Sequence, residues 1–311
     1  MKSRNWLIYG GLGLGALGLG MLLKDMLPQS FDLIASSKEF SPEALAPRKE
    51  LPEIDIEFLR CGSVSIPEFL AIRGSFALTP RKIAYSAVLI RHPKATFLYD
   101  TGLCAGVKQF LADQPFFFRQ TFARFNFERS LADNLRERSL VPQKLDFALL
   151  SHLHWDHVSG IPDIPQVPLR VNQVEYAAAK GRNELVWRFM GKNPVELFAC
   201  DGPPYEGFRS SHDLFGDGSI VLVPLPGHTI GNTGMFINRA NGSRLFLLGD
   251  AVWVSENYLY PATMHHFFWS RITDDDKLAR QTLVQLHQFA RVHPDMPMVG
   301  MHDAAAQEDF I

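Results

Sequence analysis

The sequence predicts an α+β domain preceded by one N-terminal transmembrane helix. Short apolar runs bounded by turn residues indicate strands joined by hairpins, and longer stretches of helical period lie between and after them. The 311 residues are 46% hydrophobic, which is enough to bury a sizeable core. Residues 6–23 form a separate uncharged stretch. The formal net charge of −2 and the absence of a basic run argue against a nucleic-acid partner.

Residues 1–25 are expected to form an uncleaved signal anchor. Lys2 and Arg4 precede the uncharged stretch, which is long enough to cross a bilayer, and no small-x-small cleavage pattern follows closely. Positive charges ahead of a span keep the N-terminus inside. This predicts a single-pass protein of the inner (cytoplasmic) membrane whose folded domain, residues 54–311, lies on the periplasmic side. The proline-containing residues 26–53 are expected to be a tether.

The first part of the domain is expected to contain a sheet. Residues 54–61 alternate apolar and charged side chains, and residues 85–91 and 96–99 are largely apolar runs. Residues 103–140 then change to helical period with a high content of phenylalanine. Phenylalanine at this spacing favours a buried core. The alternatives are a hydrophobic wall over an active site and a face that leans on the membrane.

The second part of the domain alternates strands and helices. Asn241-Gly242 is a strong turn signal between two apolar runs and predicts a hairpin. The pattern of residues 274–292 predicts a long amphipathic helix. In order, the expected elements are strands at 145–150, 168–171, 219–223, 233–237, 244–248 and 296–299, helices at 172–180 and 274–292, and a loop-rich segment at 182–218.

The most chemically dense stretch follows the strand at 145–150. Within six residues it holds three imidazoles and a carboxylate, from His152, His154, Asp156 and His157. In an extended backbone the first two histidines point the same way, while Asp156 and His157 can reach a second point nearby. Imidazole nitrogen and carboxylate oxygen are ligands of Zn²⁺, and no cysteine lies close by. The stretch therefore predicts a catalytic site in which two metal ions share one pocket.

Three more residues of ligand type, His228, Asp250 and His302, each follow an apolar strand. Any one alone would be weak evidence of a metal site, because a single histidine is more often an ordinary polar residue. Together with the first motif they strengthen the prediction. His265 and His266 are predicted not to be ligands, because they lie in the aromatic loop 258–269 and the ligand set is complete without them.

At these motifs the chain resembles the metallo-β-lactamase superfamily, over residues 54–303. The matching motifs are His152-x-His154-x-Asp156-His157, Pro226-Gly227-His228-Thr229, Leu248-Gly249-Asp250 and Gly300-Met301-His302-Asp303. The resemblance implies a four-layer αβ/βα sandwich with a site for two divalent ions, of which zinc is favoured. It also implies that one metal is held by His152, His154 and His228, the other by Asp156, His157 and His302, with Asp250 bridging both. Asp100 matches the family's supporting aspartate. Thr229 is likewise expected to contact ligand residues without binding a metal itself.

The resemblance further implies a metal-dependent hydrolase that attacks a carbonyl of a small-molecule substrate with a metal-bridging hydroxide, with Asp156 and Asp250 as the catalytic carboxylates. The motifs are closest to those of N-acyl-homoserine lactonases, which indicates a lipophilic lactone or ester. Those lactonases usually carry a tyrosine where this chain has Trp253, and Tyr258 or Tyr260 is a candidate replacement. The residues expected to line the substrate pocket are Trp253, Phe117 and Phe268.

Several alternatives stay open from the sequence. An aspartate at the bridging position argues against lactam cleavage of the zinc β-lactamase type. Thioester or phosphodiester hydrolysis on the same fold, and metal-dependent binding without catalysis, are the other functions to consider. Cys61, Cys104 and Cys200 allow one disulfide or three free thiols.

Overall fold

Two sheets packed face to face form the centre of the computed structural model, which describes residues 27–31, 50–181 and 184–310. The first sheet has the strand order β4-β1-β2-β3-β5-β6-β7. β1, β2 and β3 pair antiparallel, as do β1 and β4, whereas β3, β5, β6 and β7 are parallel. Its strands are β1 Asp55–Pro67, β2 Pro80–His92, β3 Ala95–Tyr99, β4 Asn126–Phe127, β5 Phe147–Leu150, β6 Leu169–Asn172 and β7 Val195–Phe198.

The second sheet has the order β12-β11-β10-β9-β8. All its pairs are antiparallel except β11 with β12. Its strands are β8 His212–Asp213, β9 Ile220–Pro224, β10 Thr233–Asn238, β11 Arg244–Leu247 and β12 Met298–Val299. The hairpin expected around Asn241-Gly242 is confirmed by the pairing of β10 with β11.

The helices of the described chain are mostly short. They are α1 Glu68–Ala71, α2 Val107–Leu111, α3 Phe116–Thr121, α4 Leu131–Glu137, α5 Trp155–Val158, α6 Gln173–Ala179, α7 Glu184–Met190, α8 Ser255–Leu259, α9 His266–Ile272 and α10 Asp276–Val292. The long helix α10 begins at an aspartate cap, because the side chain of Asp275 accepts a hydrogen bond from the backbone N–H of Leu278 at 2.9 Å.

The hydrophobic core confirms the four-layer αβ/βα sandwich. Between the sheets, side chains such as Phe58 and Phe97 of the first sheet pack with Leu222 and Met235 of the second. The outer face of the first sheet packs on helices α2, α4 and α7. The outer face of the second sheet packs on α10 through residues such as Phe289. Because both faces of each sheet are covered, most of the strands read as apolar runs, whereas β1 begins with alternating side chains.

The sequence-based boundaries fail in two places. Residues 182–218 were expected to be loop, but they contain α7 and the edge strands β7 and β8. The exposed side chains of Val195, Glu196 and Leu197 explain why β7 gives no alternating signal. The aromatic segment 258–269 was also expected to be loop, but it contains the end of α8 and much of α9. The three cysteines are free thiols, so the disulfide alternative is wrong.

The N-terminal predictions lie mainly outside the described residues. The expected span, residues 6–23, is among the residues that the structure does not describe, and no helix in the described part is long and apolar enough to cross a membrane. Residues 27–31 belong to the predicted tether, and they lie against the domain. The side chain of Gln29 accepts hydrogen bonds from the backbone N–H and the hydroxyl of Thr263, both at 2.8 Å.

Candidate active site

Strands from both sheets end close together at one edge of the sandwich. The backbone N–H of Thr233, at the start of β10, donates to the carbonyl of Ser151, just past β5, at 2.9 Å. The hydroxyl of Tyr99, the last residue of β3, donates to the carbonyl of Thr233 at 2.6 Å. The turns after β9, β11 and β12 end at the same edge, where Met301 N–H donates to Gly249 O at 3.1 Å. Three predicted ligands, His228, Asp250 and His302, lie on these turns, and the other four follow β5, with Asp156 and His157 in the short helix α5.

Three imidazoles converge on one point. His154 Nδ1 lies 3.1 Å from His152 Nε2 and 2.9 Å from His228 Nε2, and the two Nε2 atoms are 3.2 Å apart. Nitrogens of a tetrahedral zinc site with bonds of about 2.0–2.1 Å are separated by about 3.3 Å, so this triangle has the spacing of three ligands to one ion. These are the three histidines that the resemblance assigns to one metal.

A second group lies beside the first, and Asp250 stands between them. His302 Nε2 is 3.1 Å from Asp250 Oδ2 and 3.4 Å from Asp156 Oδ2. His157 Nε2 faces Asp250 Oδ1 at 3.3 Å, and His228 Nε2 of the first group lies 3.4 Å from Asp250 Oδ2. The carboxylate of Asp250 therefore reaches ligands of both groups, as a bridging residue must.

The donor set fits two metal ions. Side-chain atoms of the seven residues form three overlapping groups in which potential ligand atoms lie within 4.8 Å of one another, namely His152, His154 and His228; His152, His157 and Asp250; and Asp156, His157 and His302. His157 Nε2 and Asp250 Oδ1 are buried and have no hydrogen-bond partner in the described part of the chain, although they face each other. Buried polar atoms normally have a partner, and a shared cation would satisfy both of these.

Asp100 orients two of the ligand histidines. Its Oδ2 accepts from His157 Nδ1 at 2.7 Å and from the hydroxyl of Ser151 at 2.8 Å. Because that hydroxyl donates to Asp100, its oxygen accepts from His152 Nδ1 at 2.9 Å. Both rings thus carry their proton on Nδ1 and turn the lone pair of Nε2 toward the site. The support expected from Asp100 agrees with this geometry, and the relay through Ser151 was not foreseen.

His302 is oriented by backbone rather than by a carboxylate. Its Nδ1 donates to the carbonyl of Ala84 in β2 at 2.7 Å, and the N–H of Ala84 donates back to the carbonyl of His302 at 2.9 Å. A carbonyl can only accept, so Nδ1 carries a proton, and Nε2 is the nitrogen that faces Asp250 at 3.1 Å. This double contact fixes the last ligand against the first sheet.

Two buried side chains that sequence reasoning missed hold the ligand turns together. Glu175 accepts from Leu153 N–H at 2.8 Å and from Gly231 N–H at 2.9 Å, which joins the first histidine turn to the turn after His228. Asn232 accepts from Asp250 N–H at 3.2 Å and donates to the carbonyls that precede Pro226 and Gly249. A lone Glu or Asn gives no sequence signal for such a role, because both are common on surfaces.

The turn before His228 leaves no room for a side chain. Gly227 has φ +130°, and a Cβ there would lie 2.1 Å from the backbone nitrogen of Ala279 in α10. The hydroxyl of Thr229, which was expected to support a ligand, is buried without a hydrogen-bond partner. Thr229 acts instead through its backbone, since its carbonyl accepts from Gly227 N–H at 2.9 Å and closes the turn.

Burial and the charges of neighbouring groups together shift the pKa values of the site. At His157 and His302, burial is outweighed by Asp250, which raises the pKa above that of a free histidine. Burial lowers the pKa of His152 and His228 well below that of a free histidine, and neighbouring imidazoles lower it further. Neutral imidazole is the form that binds a metal. Burial alone would raise the pKa of Asp250, but His302 and His157 outweigh it and hold that pKa well below its usual range. The pKa of the Tyr85 phenol is raised by burial, and Asp156 and Asp250 add to the rise.

A cavity of about 730 Å³ opens onto the ligands. Aromatic and aliphatic side chains dominate its wall, which includes Ile83, Tyr85, Phe118, Phe122, Phe125, Trp155, Trp253, Phe268 and Ile272. Two arginines, Arg124 and Arg271, also reach the wall and are exposed to solvent. A cavity of this size and composition suits a small, largely apolar organic molecule.

Two of the three expected pocket residues, Trp253 and Phe268, lie in this wall. The prediction for Phe117 is wrong, because this side chain is 53% exposed and does not line the cavity. Successive residues of a helix point about 100° apart, and in α3 it is Phe118 that turns inward, with its ring centroid 6.3 Å from that of Trp155. Sequence spacing alone could not fix the rotation of so short a helix.

The other aromatic-loop residues lie away from the ligands. Tyr258 donates its hydroxyl to the carbonyl of Met298 at 3.2 Å, and Tyr260 is 72% exposed, so neither lines the cavity. His265 accepts from Phe267 N–H at 3.2 Å as the N-cap of α9, and neither it nor His266 belongs to the ligand groups of the described residues.

Comparisons with known proteins agree with this geometry. The sequence model of the metallo-beta-lactamase superfamily matches residues 81–284. A probable metallo-hydrolase of Mycobacterium tuberculosis is 26% identical over 279 residues, which cover 83% of each chain. The N-acyl homoserine lactonase AiiA of Bacillus thuringiensis subsp. kurstaki is 26% identical over 189 residues, which cover 58% of this chain and 70% of the lactonase.

Solved structures show the same fold. A quorum-quenching N-acyl homoserine lactone lactonase superposes with a TM-score of 0.64 at 16% identity, over 85% of this chain and 97% of that one. The dizinc quorum-quenching lactonase AidC superposes with a TM-score of 0.53 at 15% identity, over 82% and 90% of the two chains. These structures show the shared fold, and the family match together with the seven gathered candidate ligands leads to one conclusion: the chain belongs to the metallo-beta-lactamase superfamily and is a metal-dependent hydrolase.

Proposed function

We propose that this protein hydrolyses a lipophilic lactone or ester with the help of two divalent metal ions, of which zinc fits the nitrogen and oxygen donors. The observation that carries the proposal is the largely apolar cavity at one edge of the sandwich, which opens onto five of the seven proposed ligands: His154, Asp156, His228, Asp250 and His302. Relatives that act on N-acyl homoserine lactones, which join an acyl chain to a lactone ring, support this substrate class.

The seven side chains would divide between two ions. His152, His154 and His228 would hold one ion, and Asp156, His157 and His302 would hold the other. Asp250 would contact both, because its two oxygens face both groups. Two bound ions supply Lewis acidity, which polarises a carbonyl and lowers the pKa of a water molecule.

The chain's own residues position the reaction. Hydrolysis adds the hydroxyl of water to the carbonyl carbon, breaks the bond from that carbon to the ring or ester oxygen, and leaves the proton of water on the departing oxygen. Asp156 lines the cavity and is less buried than Asp250, so its carboxylate is placed to orient water and to carry that proton. The aromatic wall binds the acyl group and excludes bulk water from the carbonyl.

Acyl-chain length tests the lipophilic substrate. Apolar burial contributes about 25 cal/mol per Å², so each added methylene should raise kcat/KM by up to about fourfold, or about 0.8 kcal/mol, until the cavity is full. Phe268→Ala should weaken this dependence, because its ring forms part of the wall and lies 5.9 Å from that of Trp253. Phe117→Ala is the matched control and should behave as wild type. A dependence that is flat in wild type would refute the lipophilic class.

Asp250→Ala tests the two-metal assignment. The change removes the carboxylate that faces both ligand groups, so we expect lost activity and fewer bound metal ions per chain by elemental analysis. Undiminished metal with normal turnover would contradict the bridging role. A parallel screen of the zinc-loaded protein with lactones, thioesters, phosphodiesters and lactams would show whether one of the other substrate classes is preferred.

A further inference from the structure

Tyr85 lies in β2, next to the residue that holds the last metal-ligand candidate. The carbonyl of its neighbour Ala84 accepts a hydrogen bond from His302 Nδ1 at 2.7 Å, and the N–H of Ala84 donates to the carbonyl of His302 at 2.9 Å. The Tyr85 ring packs edge-on against the His302 imidazole, with the centroids 5.6 Å apart. Phe125 and Trp155 flank it at 5.6 and 6.0 Å. The phenol is therefore held rigidly at the metal end of the cavity.

The hydroxyl of Tyr85 differs from those of the two other buried tyrosines. Tyr99 and Tyr258 donate to backbone carbonyls, as buried phenols usually do. Tyr85 is only 7% exposed and lines the cavity, yet its hydroxyl has no hydrogen-bond partner among the residues that the structure describes. A donor that is fixed, partnerless and turned to a substrate cavity is available to a bound molecule.

The other polar groups of the wall are less suited to act at the metal site. Ser65, Gln120, Arg124, Asn126 and Arg271 are all exposed. The hydroxyl of Thr121 donates to the carbonyl of Phe117 at 2.7 Å. The ring of Trp253 also contacts His302, at 5.2 Å, but its Nε1 is buried without a partner rather than open to the cavity. Within the described wall, Tyr85 combines burial, contact with a ligand candidate and a hydroxyl free to donate.

Attack on a carbonyl turns its oxygen into an oxyanion, and fixed donors aimed at that oxygen accelerate the step. We propose that the Tyr85 hydroxyl donates a hydrogen bond to the substrate oxygen that gains negative charge during hydrolysis. This inference rests on the proposed function and adds a catalytic residue to it. The phenol keeps its proton, so no group is transferred to or from Tyr85.

Tyr85→Phe is the direct test, because it removes only the hydroxyl. We expect kcat to fall by about 10²- to 10³-fold, the usual effect of losing one oxyanion donor, with little change in KM. Tyr258→Phe is the matched control: it removes a buried hydroxyl outside the cavity and should retain wild-type kcat. Metal content of both variants, measured by elemental analysis, should equal that of wild type.

A binding measurement separates contact with the substrate from support of the fold. An alkyl methylphosphonate monoester resembles the tetrahedral, negatively charged species that forms when water adds to the carbonyl. It is not a carboxylic ester, so it does not undergo the proposed reaction. Its Kd, from calorimetry, should rise in Tyr85→Phe by a factor similar to the fall in kcat, and should be unchanged in Tyr258→Phe.

The outcomes distinguish this inference from the proposed function. Wild-type kcat and wild-type phosphonate affinity in Tyr85→Phe would overturn the inference while hydrolysis by the native protein stands. Lost metal in Tyr85→Phe would also overturn it, because Tyr85 would then act by supporting His302. A native protein that hydrolyses neither lactones nor esters and binds no phosphonate would overturn both.

Discussion

Replacing Asp100 by Asn should weaken metal binding without unfolding the domain. Asp100 is fully buried and accepts three hydrogen bonds, from Ser151 N–H, the Ser151 hydroxyl and His157 Nδ1, at 2.7, 2.8 and 2.7 Å. Its backbone has φ +56°, which Asn tolerates better than most residues. The variant therefore changes hydrogen bonding at this position with little backbone strain.

The magnitude follows from the geometry. An amide has one accepting oxygen, so its NH₂ group must face a donor. An NH₂ group in the place of Oδ2 would face two donors, the Ser151 hydroxyl and His157 Nδ1. An NH₂ group in the place of Oδ1 would face only the backbone N–H of Ser151. The second orientation leaves one buried donor unsatisfied, which costs about 1–3 kcal/mol of unfolding free energy. Loss of the charged partner of His157 should weaken metal affinity about 10- to 100-fold, or about 1.4–2.8 kcal/mol.

Two measurements check these values, namely zinc affinity by competition with a chelating dye and urea unfolding of the metal-free protein. Asp146→Asn is the matched control, because Asp146 also accepts a backbone N–H, from Thr96 at 2.7 Å, but lies away from the ligands on the surface. It should retain wild-type zinc affinity. If Asp100→Asn loses stability and keeps wild-type zinc affinity, Asp100 serves the fold alone and the orienting role is refuted.

Three further predictions concern the backbone, the thiols and the N-terminus. Gly227→Ala should lower the unfolding free energy by more than Gly242→Ala, because both positions have positive φ but only at Gly227 does the added Cβ meet backbone; urea unfolding of the pair measures the difference. Burial raises the pKa of each cysteine thiol to about 12, so the folded protein should react slowly with a thiol reagent at pH 8 and show three thiols once unfolded. Reporter fusions after residue 30 should be active only outside the cytoplasm, and activity of a cytoplasmic reporter would reverse the proposed orientation.

The ligand set was predictable because its chemistry is concentrated in short motifs. Imidazoles and carboxylates that follow apolar strands are rare unless a site needs them, and the sheets bring those strand ends together. Asp100, which directly follows β3, was identified through the family resemblance. The two face-to-face sheets with helices outside also followed from that resemblance rather than from local patterns.

The residues that hold the ligands in place could not be predicted in this way. Glu175 and Asn232 act through backbone groups on other turns, so their roles depend on tertiary contacts that no local pattern encodes. The sequence cannot distinguish Phe117 from Phe118, because composition shows that aromatic side chains are present but not how a six-residue helix is rotated. In the sequence, Tyr85 looks like an ordinary residue of a buried strand, and only the structure shows that it lines the cavity.

The division of the ligands between the two sheets links assembly of the protein to capture of its metals. Four candidate ligands follow β5 in the first sheet, and the other three follow strands of the second. Neither set alone would complete the proposed site for two ions, so we expect tight binding only after the sheets have met and His302 has docked on β2. Metal that binds only this native arrangement would stabilise it by about 2.7 kcal/mol at a free concentration one hundred times its Kd. Removal of metal should therefore destabilise the contacts between the two sheets at this site before it destabilises either sheet.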